Sequence, residues 1–330
     1  MRKLAVRIDE AKIREIKVAA SKLKSGGLIA FPTETVYGLG ADAENSQALG
    51  KIFDIKGRPK DHPLIVHISE ALDMKKWASD IPDYCFKLAE KFWPGPLTLI
   101  LKKSEICNDL VTGKQETVGL RVPSHEIALF LLREFKKLGG MGIAAPSANI
   151  YGKTSATTSE AVKDQLGDKL NTEFDSILTG DGCEIGIEST ILDCTSSVPK
   201  ILRPGAVTEE MIEDLLKIRI DTSLSKKKVS GNLESHYAPK AKVHLENKNI
   251  EGAGFIALDG IETPKNNIRL ASPVDNQEFA KMLYEAFRLA DLKGLSNIVV
   301  LPPEGKGFAI AIRDRLNKSA ARDGYKNENS

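Results

Sequence analysis

The chain lacks any cysteine framework. Its four cysteines, Cys85, Cys107, Cys183 and Cys194, stand far apart in 330 residues, with no C-x-x-C pair. No disulfide scaffold or zinc site is legible, and reduced thiols in a cytosolic protein are expected. An excess of one charge is missing too, because 47 Lys and Arg against 45 Asp and Glu leave a net +2. That balance argues against a broad nucleic-acid footprint, which needs clustered cations, and leaves room for a local basic pocket. No uncharged apolar run approaches the ~20 residues of a membrane-spanning helix. Residues 1–6 run straight into charge without the apolar centre of a signal peptide, so a cytoplasmic location is expected. The familiar nucleophile and metal signatures are also missing. Gly152-Lys153-Thr154 resembles the end of a P-loop, but that motif needs glycine at 147, where Ser147 stands beside Pro146. A nucleotide would have to be cradled in some other way.

What is present describes an ordinary globular chain with 42% hydrophobic and 28% charged residues. Single cores stop growing at roughly 250–300 residues, so two domains are expected. Residues 27–31 (GLIAF), 64–68 (LIVHI), 97–101 (LTLIL) and 141–145 (MGIAA) read as buried strands, being short and uniformly apolar. Residues 11–24, 46–55, 125–138 and 157–166 carry helical spacing, with Ser46 as a candidate N-cap and Thr157 with Glu160 as a capping box. The irregular alternation predicts an α/β domain with a mixed sheet over 1–207. A short helix near 208–217 then leads into a polar linker, so that 208–239 reads as a connecting segment. Its Lys226-Lys227-Lys228 run is expected to be solvated. From 240 to 330 a smaller doubly wound unit follows. Its strands are expected at 243–245, 254–258 and 297–301, with one helix burying Phe279, Leu283, Phe287 and Ala290 and another over 308–320. Residues 323–330 should fray.

Four stretches place polar groups beside those strands. They are Pro32-Thr33-Glu34-Thr35 with the glycines after it, Lys56-Gly57-Arg58-Pro59, Ala145-Pro146-Ser147-Ala148-Asn149, and Gly186-Ile187-Glu188-Ser189-Thr190 followed by Arg203-Pro204-Gly205. Each alone could be a turn, and Lys56 and Arg58 could simply complement a helix C-terminus. Together they suit a ligand-facing rim, with Arg as a bidentate oxyanion binder and Lys as a point charge.

In order along the chain, PTETVYGLGADA, KGRP with HPLIVHI, FWPGPLTLIL, TVGLRVP, APSAN, GIESTILD and ILRPG resemble the Sua5/YrdC family of threonylcarbamoyl-AMP synthases. SHYAPK (235–240) and the unit after it resemble the linker and C-terminal domain of the longer Sua5 form. The resemblance implies a YrdC-like twisted mixed sheet with a smaller Rossmann-like domain. It implies condensation of L-threonine, bicarbonate and ATP, with release of pyrophosphate and with Mg²⁺ accompanying the nucleotide. The product would pass to a separate complex that modifies tRNA, so direct tRNA binding would be weak. By similarity, Thr35, His67, Arg121, Ala145 and Ser189 would hold threonine. Lys56, Arg58, His62, Thr117, Ser147, Asn149, Ser155, Arg203 and Tyr237 would hold ATP, with Lys56 and Arg58 at the triphosphate and Tyr237 on a closing linker.

Two departures stand out. His62 occupies a position where the family usually has asparagine, which makes ATP affinity a candidate for pH dependence. Ile150-Tyr151-Gly152 follows APSAN where a smaller turn is common, which loosens the placement of Ser155. Two other readings compete. A carbamoyltransferase would carry the acylphosphatase-like domain and cysteine-rich zinc motifs that this sequence lacks. A non-catalytic RNA-binding module would show steep salt dependence.

Overall fold

The computed structural model describes residues 8–221, 227–231, 236–246 and 250–321. The expectations for residues 1–6, Lys226, Ser235 and 323–330 therefore lie outside the described residues.

Strands β1 (Ile29–Phe31), β2 (Gly38–Asp42), β3 (Ile65–His67), β4 (Leu97–Lys102), β5 (Thr117–Arg121), β6 (Ile143–Ala144), β7 (Ser176–Ile177), β8 (Thr190–Asp193) and β9 (Lys200–Arg203) form one mixed sheet. Its order is β7-β1-β2-β6-β3-β5-β4-β8-β9. Parallel pairs (β1 with β7, β3 with β5, β4 with β8) alternate with antiparallel ones, as an irregular strand–helix alternation predicts. Helices α1 (Glu10–Lys24), α2 (Ser46–Lys56), α3 (Met74–Trp77), α4 (Asp83–Phe92), α5 (Asp109–Thr112), α6 (Glu126–Lys137), α7 (Ser159–Leu166) and α8 (Glu209–Leu216) flank it. On α1, Ile16, Ala19, Ala20 and Leu23 recur at helical spacing and pack with Leu131 and Phe135 of α6 over one sheet face. Leu39, Phe53, Leu64, Val66, Trp77 and Leu120 belong to the larger core cluster. Each such side chain contributes roughly 1.5–3 kcal/mol on burial.

Two capping expectations shift by one residue. Asn45, not Ser46, caps α2, accepting from the amides of Gln47 and Ala48 at 3.0 Å, because its extended backbone turns the carboxamide back onto the helix. Thr158, not Thr157, caps α7 through the Ala161 amide, and Ser159 takes Glu160 instead of a reciprocal box. All four cysteines are free and buried.

The C-terminal unit is a parallel sheet of β10 (Lys242–His244), β11 (Gly254–Ile256), β12 (Ile268–Ala271) and β13 (Asn297–Val300), in the order β10-β13-β11-β12. Helices α9 (Asn276–Leu292) and α10 (Phe308–Ala320) pack on it. Phe279, Leu283, Phe287 and Ala290 are the buried stripe of α9, as their spacing predicts. Val36 and Ile187 of the large sheet's loops and Tyr237 of the linker join this same apolar cluster. The two units thus share a core.

The lysine run departs from expectation only in part. Lys227 pairs with Asp193 and Lys228 with Asp61 at 2.6 Å, and Val229 is buried against Ile100 and Ile191. The buried Val229 straps this segment over the sheet, while the Lys228 side chain stays exposed in its pair with Asp61, as a solvated run predicts.

Candidate functional site

Strand register assembles one side of the site. The parallel pairing of β3 with β5 sets His67 opposite Arg121. The chain leaving β6 brings Ala145 alongside, its amide bonded to the Ile65 carbonyl at 2.9 Å. The loop after β1 places Thr33 and Thr35, with hydroxyls 2.9 Å apart, and Ser189 sits at the entry to β8. Thr35, His67, Arg121, Ala145 and Ser189 line one narrow cleft that opens to solvent. Burial, with Arg121 beside it, pushes His67 down to about 3, so its imidazole is neutral at any physiological pH. Arg121 donates from Nε to the Gly95 carbonyl at 3.3 Å. Its Nη2 approaches Glu34 to 2.7 Å, an ion pair without hydrogen-bond alignment. Both side chains are buried, so the guanidinium is held on two sides. Ser189 shares a hydrogen bond with Thr98 at 2.8 Å.

The cations lie next door. Lys56, at the end of α2, is buried and donates to the carbonyls of Ser147 (2.6 Å) and Asn149, which fixes the loop after β6. Gly57 ends α2 in the left-handed region at φ 63°, a conformation that suits glycine and sends Arg58 back under the sheet. Arg58 donates from Nη2 to the Pro63 carbonyl at 2.9 Å and stands over the Tyr151 ring, while its Nε has no partner. Arg203 donates to the Ser189 carbonyl at 3.0 Å, to its hydroxyl at 3.1 Å and to the Ser230 carbonyl at 2.9 Å. Burial depresses all three: Lys56 falls well below its ordinary value, Arg58 drops to about 10, and Arg203 is also lowered. Among the described residues, no ion pair joins any of the three to a carboxylate. Two buried guanidiniums beside an amine that an anion would charge, with no carboxylate in a direct ion pair, make an anion site.

Tyr237 and His236 close the far wall of the cleft, and Ser147 and Arg203 line it as well. Tyr237 adopts φ 61°, is fully buried, and stacks on Tyr284 of α9 with centroids 5.8 Å apart. Burial raises its phenol to about 12 and lowers His236 to about 3.

The other expected nucleotide residues lie outside this cleft. Thr117 lines a second, adjoining cleft with Lys227, Lys228 and Val229. Asn149 turns its amide onto the carbonyls of Ile150 and Lys153, and Ser155 donates to Glu188 at 2.6 Å.

A family model described as telomere recombination, covering Sua5, YciO and YrdC, matches residues 21–205. A second, described as the threonylcarbamoyl-AMP synthase C-terminal domain, matches 207–321. The chain belongs to the Sua5/YrdC family. A relative named threonylcarbamoyl-AMP synthase from Pyrococcus abyssi is 38% identical, over 95% of each chain. One of the same name from Bacillus subtilis is 37% identical over 93% of each. The solved structure of P. abyssi Sua5 complexed with L-threonine superposes with a TM-score of 0.82 at 37% identity, covering 93% of this chain and 94% of that one.

Against this Sua5/YrdC background, Glu34, Glu188, Thr33, Tyr37 and His236 are residues at the site that sequence reasoning left without a role. The available signal was a lone carboxylate at the edge of a buried strand in each of two loops, since buried Glu is rare unless paired.

His62 is half-buried, with Nδ1 3.2 Å from the Tyr151 hydroxyl. Burial and then the Arg58 charge hold it below the usual imidazole range. It is therefore neutral near pH 7 and does not titrate there. His62→Asn is expected to leave the KM for ATP within about twofold of wild type at each pH between 7 and 8. A wild-type KM that climbs through that window, and is flat in the variant, would contradict this.

Proposed function

We propose that the chain is an L-threonylcarbamoyladenylate synthase that condenses L-threonine, bicarbonate and ATP, releases pyrophosphate, and supplies a tRNA threonylcarbamoyl-transferase complex. The observation that carries the reading is the adjacency of two unlike half-sites. A ring of Thr35, His67, Arg121 and Ser189, suited to a small hydroxy amino acid, borders the buried cations Lys56, Arg58 and Arg203, which lack a carboxylate partner. The threonine-bound relative supports the first half.

Arg121 takes the threonine carboxylate, already oriented by Gly95 and Glu34. Neutral His67 and the Thr35 and Ser189 hydroxyls serve the side-chain hydroxyl and amine, with Ala145 as the pocket wall. The neutral amine attacks carbon dioxide, formed from bicarbonate by loss of hydroxide, and the proton it gives up converts that hydroxide to water, leaving a carbamate. A carbamate oxygen then attacks the α-phosphorus of ATP, the bond to the β-phosphate oxygen breaks in line, and pyrophosphate leaves. No protein nucleophile is needed, so positioning and charge neutralisation carry the step. Lys56 and Arg58 act there as catalytic residues. Ser147, Asn149, Ser155, His62, Thr117, Arg203 and Tyr237 surround the nucleotide.

Mg²⁺ accompanying ATP would supply charge neutralisation on the phosphates and would take its ligands from them and from water. The donor set fits that arrangement, because the carboxylates at the cleft, Glu34 and Glu188, are each already engaged by an arginine. Among the described residues no helix is long and apolar enough to cross a membrane.

The test is pyrophosphate release from ATP with bicarbonate, with and without L-threonine, followed by mass spectrometry of the nucleotide product. Release that requires threonine, with a threonylcarbamoyl-AMP mass, is the expected result. Turnover with carbamoyl phosphate instead would favour the transferase reading, and no turnover beside salt-sensitive RNA binding would favour the binding module.

A further inference from the structure

We infer that Arg315, on helix α10 of the C-terminal domain, is a positioning residue for the nucleotide half-site, because it neutralises Glu188 and so keeps Arg203 available to an anion. This rests on the proposed function.

Glu188 lines the cleft and is buried. Its two carboxylate oxygens are satisfied from both domains. Ser155 donates to Oε1 at 2.6 Å, while Tyr284 of α9 donates to Oε2 at 3.0 Å and Arg315 Nε to Oε2 at 2.8 Å. Arg315 also reaches the Glu188 carbonyl with Nη2 at 3.3 Å. Asp314 holds its Nη1, and its guanidinium stands 5.4 Å from the Tyr237 ring centroid. The guanidinium is 0% exposed, so none of this is a surface pairing. Burial alone would raise the Glu188 carboxyl, and the Arg315 and Arg203 charges together hold it at about 2.

The loop itself is clamped by the same domain. Gly186 (φ 80°) lies so close to α9 that a Cβ there would fall 2.4 Å from the Lys281 backbone. Ile187 buries in the C-terminal core. Three consecutive residues before Ser189 are thus fixed from outside the large sheet.

The electrostatic consequence follows from where Glu188 sits. An uncompensated carboxylate at this position would repel an incoming polyphosphate. It would also pull more strongly on Arg203, whose hydrogen bonds now go to Ser189 and Ser230 and whose charge already acts on Glu188 without a direct ion pair. Arg315 prevents both. The C-terminal domain therefore contributes to nucleotide affinity without touching the nucleotide.

The test compares wild type, R315M, E188Q and the double variant by calorimetric titration with ATP and by steady-state KM for ATP and threonine. R315M is expected to raise the ATP Kd and KM roughly thirtyfold or more, the cost of leaving a buried charge unpaired. The threonine KM should rise by a smaller factor, since Arg315 also braces the backbone beside the threonine-side Ser189. The double variant, with neither charge, should recover most of the ATP affinity. A purely structural strut would raise both KM values together and show no rescue, and that result overturns the inference. Should R315M fail to fold, E188Q alone still decides, since an equal or lower ATP Kd is expected and a higher one overturns it. Wild type that binds ATP but shows no threonine-dependent turnover would sink the proposed function while leaving the Arg315 comparison readable by calorimetry.

Discussion

Arg58→Ala is expected to cut threonine-dependent pyrophosphate release by about 10²- to 10³-fold, the usual cost of removing one donor aimed at transition-state charge. Threonine affinity should be unchanged. Two facts separate the effects. Arg58 does not line the cleft that holds Arg121, His67 and Ser189, so the amino-acid half-site keeps its walls. Its guanidinium is buried with Nε unpartnered, held by the Pro63 carbonyl at 2.9 Å and by the Tyr151 face. That is a pre-aimed donor, costly to bury unless something anionic completes it. Arg58→Lys should rescue little, because an ammonium can neither stack on Tyr151 nor present a fork. Single-turnover release from both variants, beside threonine titration, checks the pair. Turnover within about tenfold of wild type in Arg58→Ala would remove Arg58 from the catalytic group.

Much of this arrangement is legible in the chain because its cues are local. The runs at 64–68 and 97–101 are strands, since short β-branched and leucine-rich segments can only be buried on both faces. Thr35, His67, Arg121, Ala145 and Ser189 stand at the ends of such runs, and strand pairing then draws them together. What escapes is whatever depends on partners far along the sequence. Val229 reads as part of a polar linker until Ile100 and Ile191, far earlier in the chain, are seen packed against it. Glu188 and Arg315 are 127 positions apart, and the pattern on α10 gives no reason to single out Arg315 from Arg313 or Lys318. The caps at Asn45 and Thr158 were missed for a smaller reason. Adjacent Asn-Ser and Thr-Thr pairs offer equivalent side chains, and only the backbone at the turn decides which one accepts.

Binding of ATP should take up a proton at Lys56. In the free protein, burial, and then the charge of Arg58, lowers this amine well below its ordinary value. The two carbonyls it serves, on Ser147 and Asn149, need only the two N–H bonds that a neutral amine has. A phosphate changes the balance, because it favours the ammonium and uses the third donor. Lys56 therefore has a lower pKa free than bound. Below the free value the site is already protonated, and ATP affinity is full and flat. Above it, each step up in pH must be matched by proton uptake, so affinity falls by up to about tenfold per unit until the bound value is reached. At about pH 9, still under the ordinary lysine value of about 10.4 and well clear of phosphate titration near 6, the nucleotide contributes no proton change of its own. Calorimetry in two buffers of different ionisation enthalpy should then read net proton uptake on binding ATP, and Lys56→Met should abolish it. Zero uptake in the wild type, or the same uptake in the variant, would mean that Lys56 braces the loop after β6 and never meets the phosphates.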